Sequence, residues 1–514
     1  MVKQASGVFL QAVQRVGQGR LAQRDVVYAR IREAIASGAL APGTRLPSAR
    51  QLAQDWQVVR GAIDEAFAQL QLEGLVERRV GDGSYVAEGA ADVKPPAPPA
   101  PPRQPSAAAQ RVLRQHAALL GPQAPVEAHY RSRRAPPLHP RSAPVDDFPL
   151  DTWRKLVGQA LMEDHRDRLC YGPSAGQHEL RAAIARHVAL QRGLSCEPGQ
   201  VLIINSPLQG LKLIAQCLLE PGDAVWVEDP SHPSLALTFS LLRTRVVPVP
   251  IDAQGLAVEQ GIAAAPQTAL VYTHPLVQYP TGVRTGTERC RALLDWAERC
   301  GAWVVEGCFN DELVFEGAQR PALAAMAARE GREPRVIVMG TLEGVLFPSL
   351  RVSYLVLPPG LIDVFTAIRG LLGDHTQAAA QLALAAFIDD GHMSEHLARL
   401  RRRCRERRDA LRAAVQRELP AWARLGPVDG GTHACLHLPA ALPDQAVAQA
   451  LRARGVALEP LSQMAQREDA GLNGLVLGYG AWPAEQIAAA VRTIGEVLRT
   501  PCSGVVTAPA TPVV

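Results

Sequence analysis

Residues 42–86 read PGTRLPSARQLAQDWQVVRGAIDEAFAQLQLEGLVERRVGDGSYV, and the fold of the N-terminal part of the chain is decided there. Pro47 precedes Ser48, and Gln51 stands three residues after the serine, the capping-box opening of a short helix. Trp56, Gln57 and Val58 close that helix. A second helical pattern starts near Arg60 and sets Ile63, Ala66, Phe67 and Leu70 on one face. Past Gly74, segments 75–79 and 84–86 flank a Gly81-Asp82-Gly83 turn, which predicts a short hairpin. Helix, helix and hairpin in this order predict a winged helix-turn-helix, with the second helix in a major groove and the wing on the backbone.

The basic residues suit that use. Arg45, Arg50 and Arg60 surround the two helix starts, Ser48 offers a hydroxyl and free amides, and Arg78 and Arg79 stand at the base of the wing. Such groups position phosphate more than they read bases. The same arginines would also suit the solvated surface of a small protein-binding domain. The stretch resembles the DNA-binding domain of the GntR family, whose phrase PG-x-x-LPS-x-R-x-LA is kept from Pro42 to Ala53. That family often carries Ser-Arg before the recognition helix, where this chain has Val59-Arg60. The resemblance implies a double-stranded DNA operator, with Arg45, Ser48, Arg50, Arg60, Arg78 and the wing around Gly83 as its contacts.

The chain has 514 residues, enough for two or three domains and one large core. With 47% hydrophobic and 20% charged residues it has the composition of a soluble globular protein. A formal charge of +4 is too small to argue for nucleic acid over the whole molecule, so the local arginines carry that case. The only lysines are Lys3, Lys94, Lys155 and Lys212, which leaves few candidates for any lysine-dependent chemistry. Nine scattered cysteines without CxxC spacing argue against a metal site and for a reducing cytosol. No signal-peptide pattern and no apolar run of membrane-spanning length are present, so a cytoplasmic protein without a membrane partner is expected.

In order, a short helix is expected at 8–20 and a better one at 26–36, both inside a winged-helix domain spanning 8–86. Prolines dominate 87–143, read as an extended linker with a helical island at 112–120. From 144 to 500, short β-rich apolar runs at 201–205, 224–228, 245–249, 269–273, 302–306, 335–339 and 352–357 alternate with helical patterns. That alternation predicts a mostly parallel sheet covered on both faces. Helices at 377–388 and 394–419 lead into a smaller C-terminal α+β subdomain, about 395–500, and a flexible tail covers 501–514.

The layout of 144–500 resembles a fold-type I, pyridoxal-phosphate-dependent aminotransferase domain. A GntR-type head joined to such a domain is the plan of the MocR/PdxR subfamily of bacterial regulators. The phrases that carry the resemblance are Tyr171-Gly172 with Gly176 and Leu180-Arg181, and Pro221-Gly222-Asp223 before Glu228-Asp229-Pro230. Gln278 with Pro280-Thr281-Gly282, Pro348-Ser349-Leu350-Arg351, and Phe387-Ile388 with Gly391-His392 extend it.

Against that family the cofactor positions depart one after another. The Schiff-base lysine falls at Gly344, and no lysine follows residue 212. The acid that pairs with the pyridine nitrogen falls at Gly307, and the tyrosine on the phenol oxygen at Phe309. The phosphate loop corresponds to Ser206 and Pro207, the stacking aromatic to His232, and the substrate-carboxylate arginine lies near Val476. Arg351 alone survives as a phosphate donor. Without an amine no internal aldimine forms, and without the acid the electron sink is lost. The expectation is therefore a domain with no catalytic residues and no covalently held cofactor. A polar cleft lined by His232, Gln278, Glu306, Cys308, Asn310, Glu343 and Arg351 would remain, with Glu343 and Arg351 paired where a phosphate sat. The resemblance also implies a head-to-tail homodimer and, in the cleft, a small-molecule effector. Noncovalent pyridoxal phosphate, an active aminotransferase served by Lys212, and a scaffold that only dimerises are the competing readings.

Overall fold

The computed structural model describes residues 20–79, 81–89, 105–107, 109–110, 113–114, 136–162, 170–317, 319–467 and 470–499. The helix expected before Arg20, most of the linker and the 501–514 tail lie outside these residues. The chain divides into two compact units, with the division between Pro105 and Ser106.

In the first unit, α1 (Arg20–Ala36), α2 (Ala49–Asp55) and α3 (Arg60–Leu72) precede a hairpin of β1 (Val76–Arg79) and β2 (Gly83–Val86). Helix α1 begins six residues before the expected Val26. Its Val27 and Ile31 meet Leu52, Trp56, Ile63, Phe67 and Leu70 in one small core. Ser48 caps α2, its Oγ accepting the Gln51 N–H at 3.2 Å. The hairpin pairs Val76 with Val86 and Arg79 with Gly83, and Gly83 holds a φ of +123° that a side chain would strain. A further bridge between Arg45 and Tyr85 ties the chain before α2 to the wing.

In the second unit, strands β3 (Val201–Ile204), β4 (Ala224–Asp229), β5 (Arg245–Asp252), β6 (Gly255–Leu256), β7 (Leu270–Thr273), β8 (Trp303–Phe309), β9 (Val336–Thr341) and β10 (Ser353–Val356) form one sheet. Its order is β3-β10-β9-β8-β7-β4-β5-β6. Strands β5, β4, β7, β8 and β9 run parallel, whereas β10 is antiparallel to both its neighbours and β6 is an antiparallel edge piece. Successive residues point to opposite faces, yet both faces are buried: Trp226 and Val304 enter one core, Val225 and Val305 the other. Helices therefore cover the sheet on both sides. Trp226 stacks on Trp296 at 3.9 Å between ring centroids, a pair worth about 1 kcal/mol beyond its buried area.

After the sheet, a helix at Ala378–Asp389 leads into a 27-residue helix, His392–Glu418. A second, antiparallel sheet of β11 (Arg424–Leu425), β12 (His433–His437), β13 (Glu459–Pro460) and β14 (Gly474–Gly478) follows, in the order β11-β12-β14-β13. The linker boundary at 143 needs correcting. Leu138 is fully buried in the main core, and its carbonyl accepts the Gly478 N–H at 2.8 Å. Residues 136–143 thus belong to the large unit, because a proline-rich composition does not distinguish a spacer from an extended segment packed on a sheet.

Candidate functional site

In the winged-helix unit, Arg45, Ser48, Arg50, Arg60, Arg78 and Gly83 are all exposed. Several already have work within the unit. Arg45 Nη2 donates to the Asp82 carbonyl at 2.6 Å and lies against Gly83 at the wing tip. Arg60 and Arg78 both face Asp64 of α3, at 3.5 and 3.7 Å. Asp64 went unnoticed in the sequence, although its (i, i+4) spacing from Arg60 was a usable signal. The Ser48 hydroxyl is occupied as a helix cap. The amide of Val59, which has no capping side chain of its own, donates to Gln23 Oε1 from α1 at 2.9 Å.

In the large unit a cleft of about 290 Å³ opens at the C-terminal ends of β8 and β9. Phe309 and Asn310 come from the end of β8. Thr341 ends β9, Glu343 and Gly344 follow it, and Pro207 opens the helix Pro207–Leu218. Pro140–Ala143, Pro348 and Thr432 complete the wall. Of the seven expected cleft residues, Asn310 and Glu343 line it. Arg351 stands beside it, Nη1 3.3 Å from Glu343 Oε1, with its side chain 55% exposed. Burial raises the Glu343 carboxyl above the ordinary range, against the lowering effect of Arg351.

The other four do not line it. Glu306 and Cys308 point through the opposite face of the sheet, since β8 alternates and Gly307 and Phe309 hold the cleft side. There Arg192 reaches Glu306 Oε1 at 2.5 Å, Cys308 Sγ at 3.0 Å, and Asp311. Burial pushes the Cys308 thiol well up, which suits packing and not nucleophilic attack. Gln278 is fully buried. Its amide donates to Glu228 and to the Pro230 and Tyr279 carbonyls, and its oxygen accepts from Thr281. His232 caps the helix Pro233–Leu241, Nδ1 accepting the Ser234 N–H at 3.2 Å.

The positions that the resemblance gives to the Schiff-base lysine and to the ring-nitrogen acid are Gly344 and Gly307, neither of which carries a side chain. A Cβ at Gly344 would lie on Asn310 Oδ1, so the Asn310 side chain would have to turn aside to admit a lysine stem. A Cβ at Gly307 would lie 2.6 Å from the His274 ring and 2.9 Å from Tyr272 Oη. That imidazole is fixed by Glu228, which sits 3.3 Å from Nδ1 and accepts the His274 backbone N–H at 2.7 Å, while Nε2 faces Tyr272 Oη at 2.9 Å. At the phosphate position, Pro207 has no N–H, and Ser206 Oγ accepts from the Gln209 amide at 3.2 Å, which leaves its O–H as the donor there. Lys155 and Lys212 are exposed on helices, and neither lines the cleft. Lys3 and Lys94 lie outside the described residues. His274, absent from the expected set, was recognisable only once β7 and β8 were placed side by side.

Comparison with known proteins matches this two-part plan. The family described as bacterial regulatory proteins, gntR family, matches residues 23–86, and aminotransferase class I and II matches residues 144–470. The probable rhizopine catabolism regulatory protein MocR of Rhizobium meliloti is 30% identical over 456 residues, covering 88% of this chain and 89% of that protein. The chain belongs to the MocR-type regulators of the GntR family. The HTH-type pyridoxine biosynthesis transcriptional regulator PdxR of Corynebacterium glutamicum is likewise 30% identical, over 457 residues, 88% of this regulator and 90% of its own length. Among solved structures, the α-aminoadipate aminotransferase LysN of Thermus thermophilus, complexed with N-(5'-phosphopyridoxyl)-L-leucine, superposes with a TM-score of 0.67 at 27% identity. It covers 75% of this regulator and 96% of the LysN chain. This regulator thus joins a DNA-binding head to an aminotransferase-like unit. Among the described residues, no helix is long and apolar enough to cross a membrane, and no group of His, Cys, Asp and Glu could hold a metal ion.

Proposed function

We propose that this cytoplasmic regulator uses its large unit as a noncatalytic dimeriser and sensor, and binds its operator without covalent pyridoxal phosphate. The observation that supports this reading is Gly344 at the position of the Schiff-base lysine, beside the Asn310 side chain, with no described lysine in the cleft. A carbonyl cofactor held without an amine forms no aldimine and activates no substrate. Two chains pairing head to tail would present two winged helices to two half-sites. Their contacts would be Arg45, Ser48, Arg50, Arg60, Arg78 and the wing at Gly83. A ligand in the cleft would act only through a difference in affinity between two arrangements of the dimer.

The test is fluorescence anisotropy of the full chain on a labelled operator duplex, after hydroxylamine treatment and then with pyridoxal phosphate restored. Equal affinity in both states is expected, and an affinity that depends on the cofactor contradicts the proposal. In the same assay Arg60→Ala should weaken binding roughly tenfold, the value of one charge-assisted contact of about 1.5 kcal/mol. The salt dependence should also fall by about one phosphate contact. Unchanged affinity would remove Arg60 from the interface.

A further inference from the structure

Asp64 is an acid set among the residues assigned to the operator, where a negative charge opposes phosphate contact. It stands on α3 one turn after Arg60, with its side chain 46% exposed. Arg60 Nε lies 3.5 Å from Oδ2, and Arg78 Nη2, from the base of the wing, lies 3.7 Å from Oδ1. Arg78 Nη2 also donates to the Asp64 backbone carbonyl at 3.5 Å. Both contacts with the carboxylate are ionic, and among the described residues no hydrogen bond reaches either of its oxygens. Each oxygen thus faces a positive charge while its acceptor capacity stays open.

The surface beside Asp64 is open as well. Residues three and four apart on a helix share a face, so Gly61 and Ala68 are its neighbours there. Gly61 has no side chain, and Ala68 exposes only a methyl group. The opposite face of α3, with Ala62, Ile63, Ala66, Phe67 and Leu70, is buried. Glycine weakens a helix, so what Gly61 contributes in this first turn is room. The first turns of a recognition helix are the part that meets base edges in a major groove.

Resting on the reading that this unit binds an operator, we propose that Asp64 is a base-reading residue and selects cytosine. An ionised carboxylate only accepts hydrogen bonds. On the major-groove edges the donors are the amino groups of cytosine and adenine. Adenine's lies between its own N7 and the O4 of thymine, two acceptors that repel a carboxylate. Cytosine's has an acceptor on one side only, the guanine O6, and is the better partner. Arg60 and Arg78 screen the carboxylate from the phosphates, which lets an acid work on this surface. Where no cytosine is present the charge finds no donor, so Asp64 also weakens binding at wrong sites.

Selection of the full-length protein on a pool of randomised duplexes, followed by fluorescence anisotropy on the enriched operator, tests this. Each half-site should hold one position that requires cytosine, and exchanging that C·G pair for T·A should weaken binding roughly tenfold, the cost of one mismatch. Asp64→Ala, a change that suits a helix, should lose this preference. Its affinity for random duplex should hold or rise, because a charge opposing the phosphates is gone. Asp64→Asn should favour adenine over cytosine at the same position, since its amide matches adenine N6 and N7, and it decides the matter if Asp64→Ala does not fold. A cytosine preference that persists in the variants, or a parallel loss of affinity on operator and random duplex, would overturn the proposal. An enriched operator whose base preferences are indifferent to Asp64 would overturn it and leave operator binding standing. Failure to enrich any sequence would remove both.

Discussion

At position 307 there is no room for a side chain, because the His274 ring and Tyr272 hydroxyl already occupy the space a Cβ would enter. Gly307→Asp, the change that would restore a ring-nitrogen partner, should therefore destabilise the large unit by about 2–4 kcal/mol through overpacking and a buried carboxyl. Urea denaturation reads this directly, and an unchanged midpoint would show that His274 yields easily. His433 makes a pH-dependent contribution. Burial lowers its pKa from the ordinary 6.5 to about 4, with its Nε2 facing the Gln278 carbonyl at 3.3 Å. The unfolded chain takes up a proton as pH falls through 6.5, but the folded chain does so only near 4. The histidine's contribution is thus whole above the unfolded pKa and is lost between the two values, by on the order of 3 kcal/mol. His139, pushed to about 4 by burial, acts in the same direction. Melting temperature should fall across that interval and fall less in His433→Gln; identical slopes would contradict the assignment. The missing lysine at Gly344 was legible because it is a matter of identity alone. The placement of Glu306 and Cys308 was not, because four consecutive residues of a strand cannot share one face, and which pair faces the cleft depends on register.

At the scale of single elements, α2 has seven residues and depends on its cap. Ser48→Ala should cost the winged-helix unit about 1 kcal/mol. The expected readout is a lower unfolding midpoint for that unit, with the large unit's transition unmoved. A loss of DNA affinity without a loss of stability would instead mean that Ser48 acts at phosphate. Elements with strong local signals were the ones read correctly. Strands β4, β7 and β8 showed as buried apolar runs between helical patterns. Residues 136–143 carry no such signal. Leu138 sits at φ +64° and is buried only because β14 and the loop at Ala457 come from far along the chain to meet it. Non-local pairing of that kind leaves no periodicity to find.

At the scale of the molecule, the order of phrases along the sequence was enough for the family, while the chemistry of the cleft emerged from elements brought together by the fold. Asn310 against Gly344, and Pro140–Ala143 against β8 and β9, join positions that no local pattern connects. If the large unit is the dimeriser, sedimentation equilibrium should give twice the 55.2 kDa chain mass and should do so without pyridoxal phosphate. A monomer that dimerises only when the cofactor is added would contradict that account. The most direct test of the central claim is an absorbance titration of the purified protein with pyridoxal phosphate, followed by desalting. The account expects no protein-bound aldimine band to survive. A stable band would mean that a lysine, with Lys212 the first to replace by Arg, reaches the cleft and that the cofactor site is still in use.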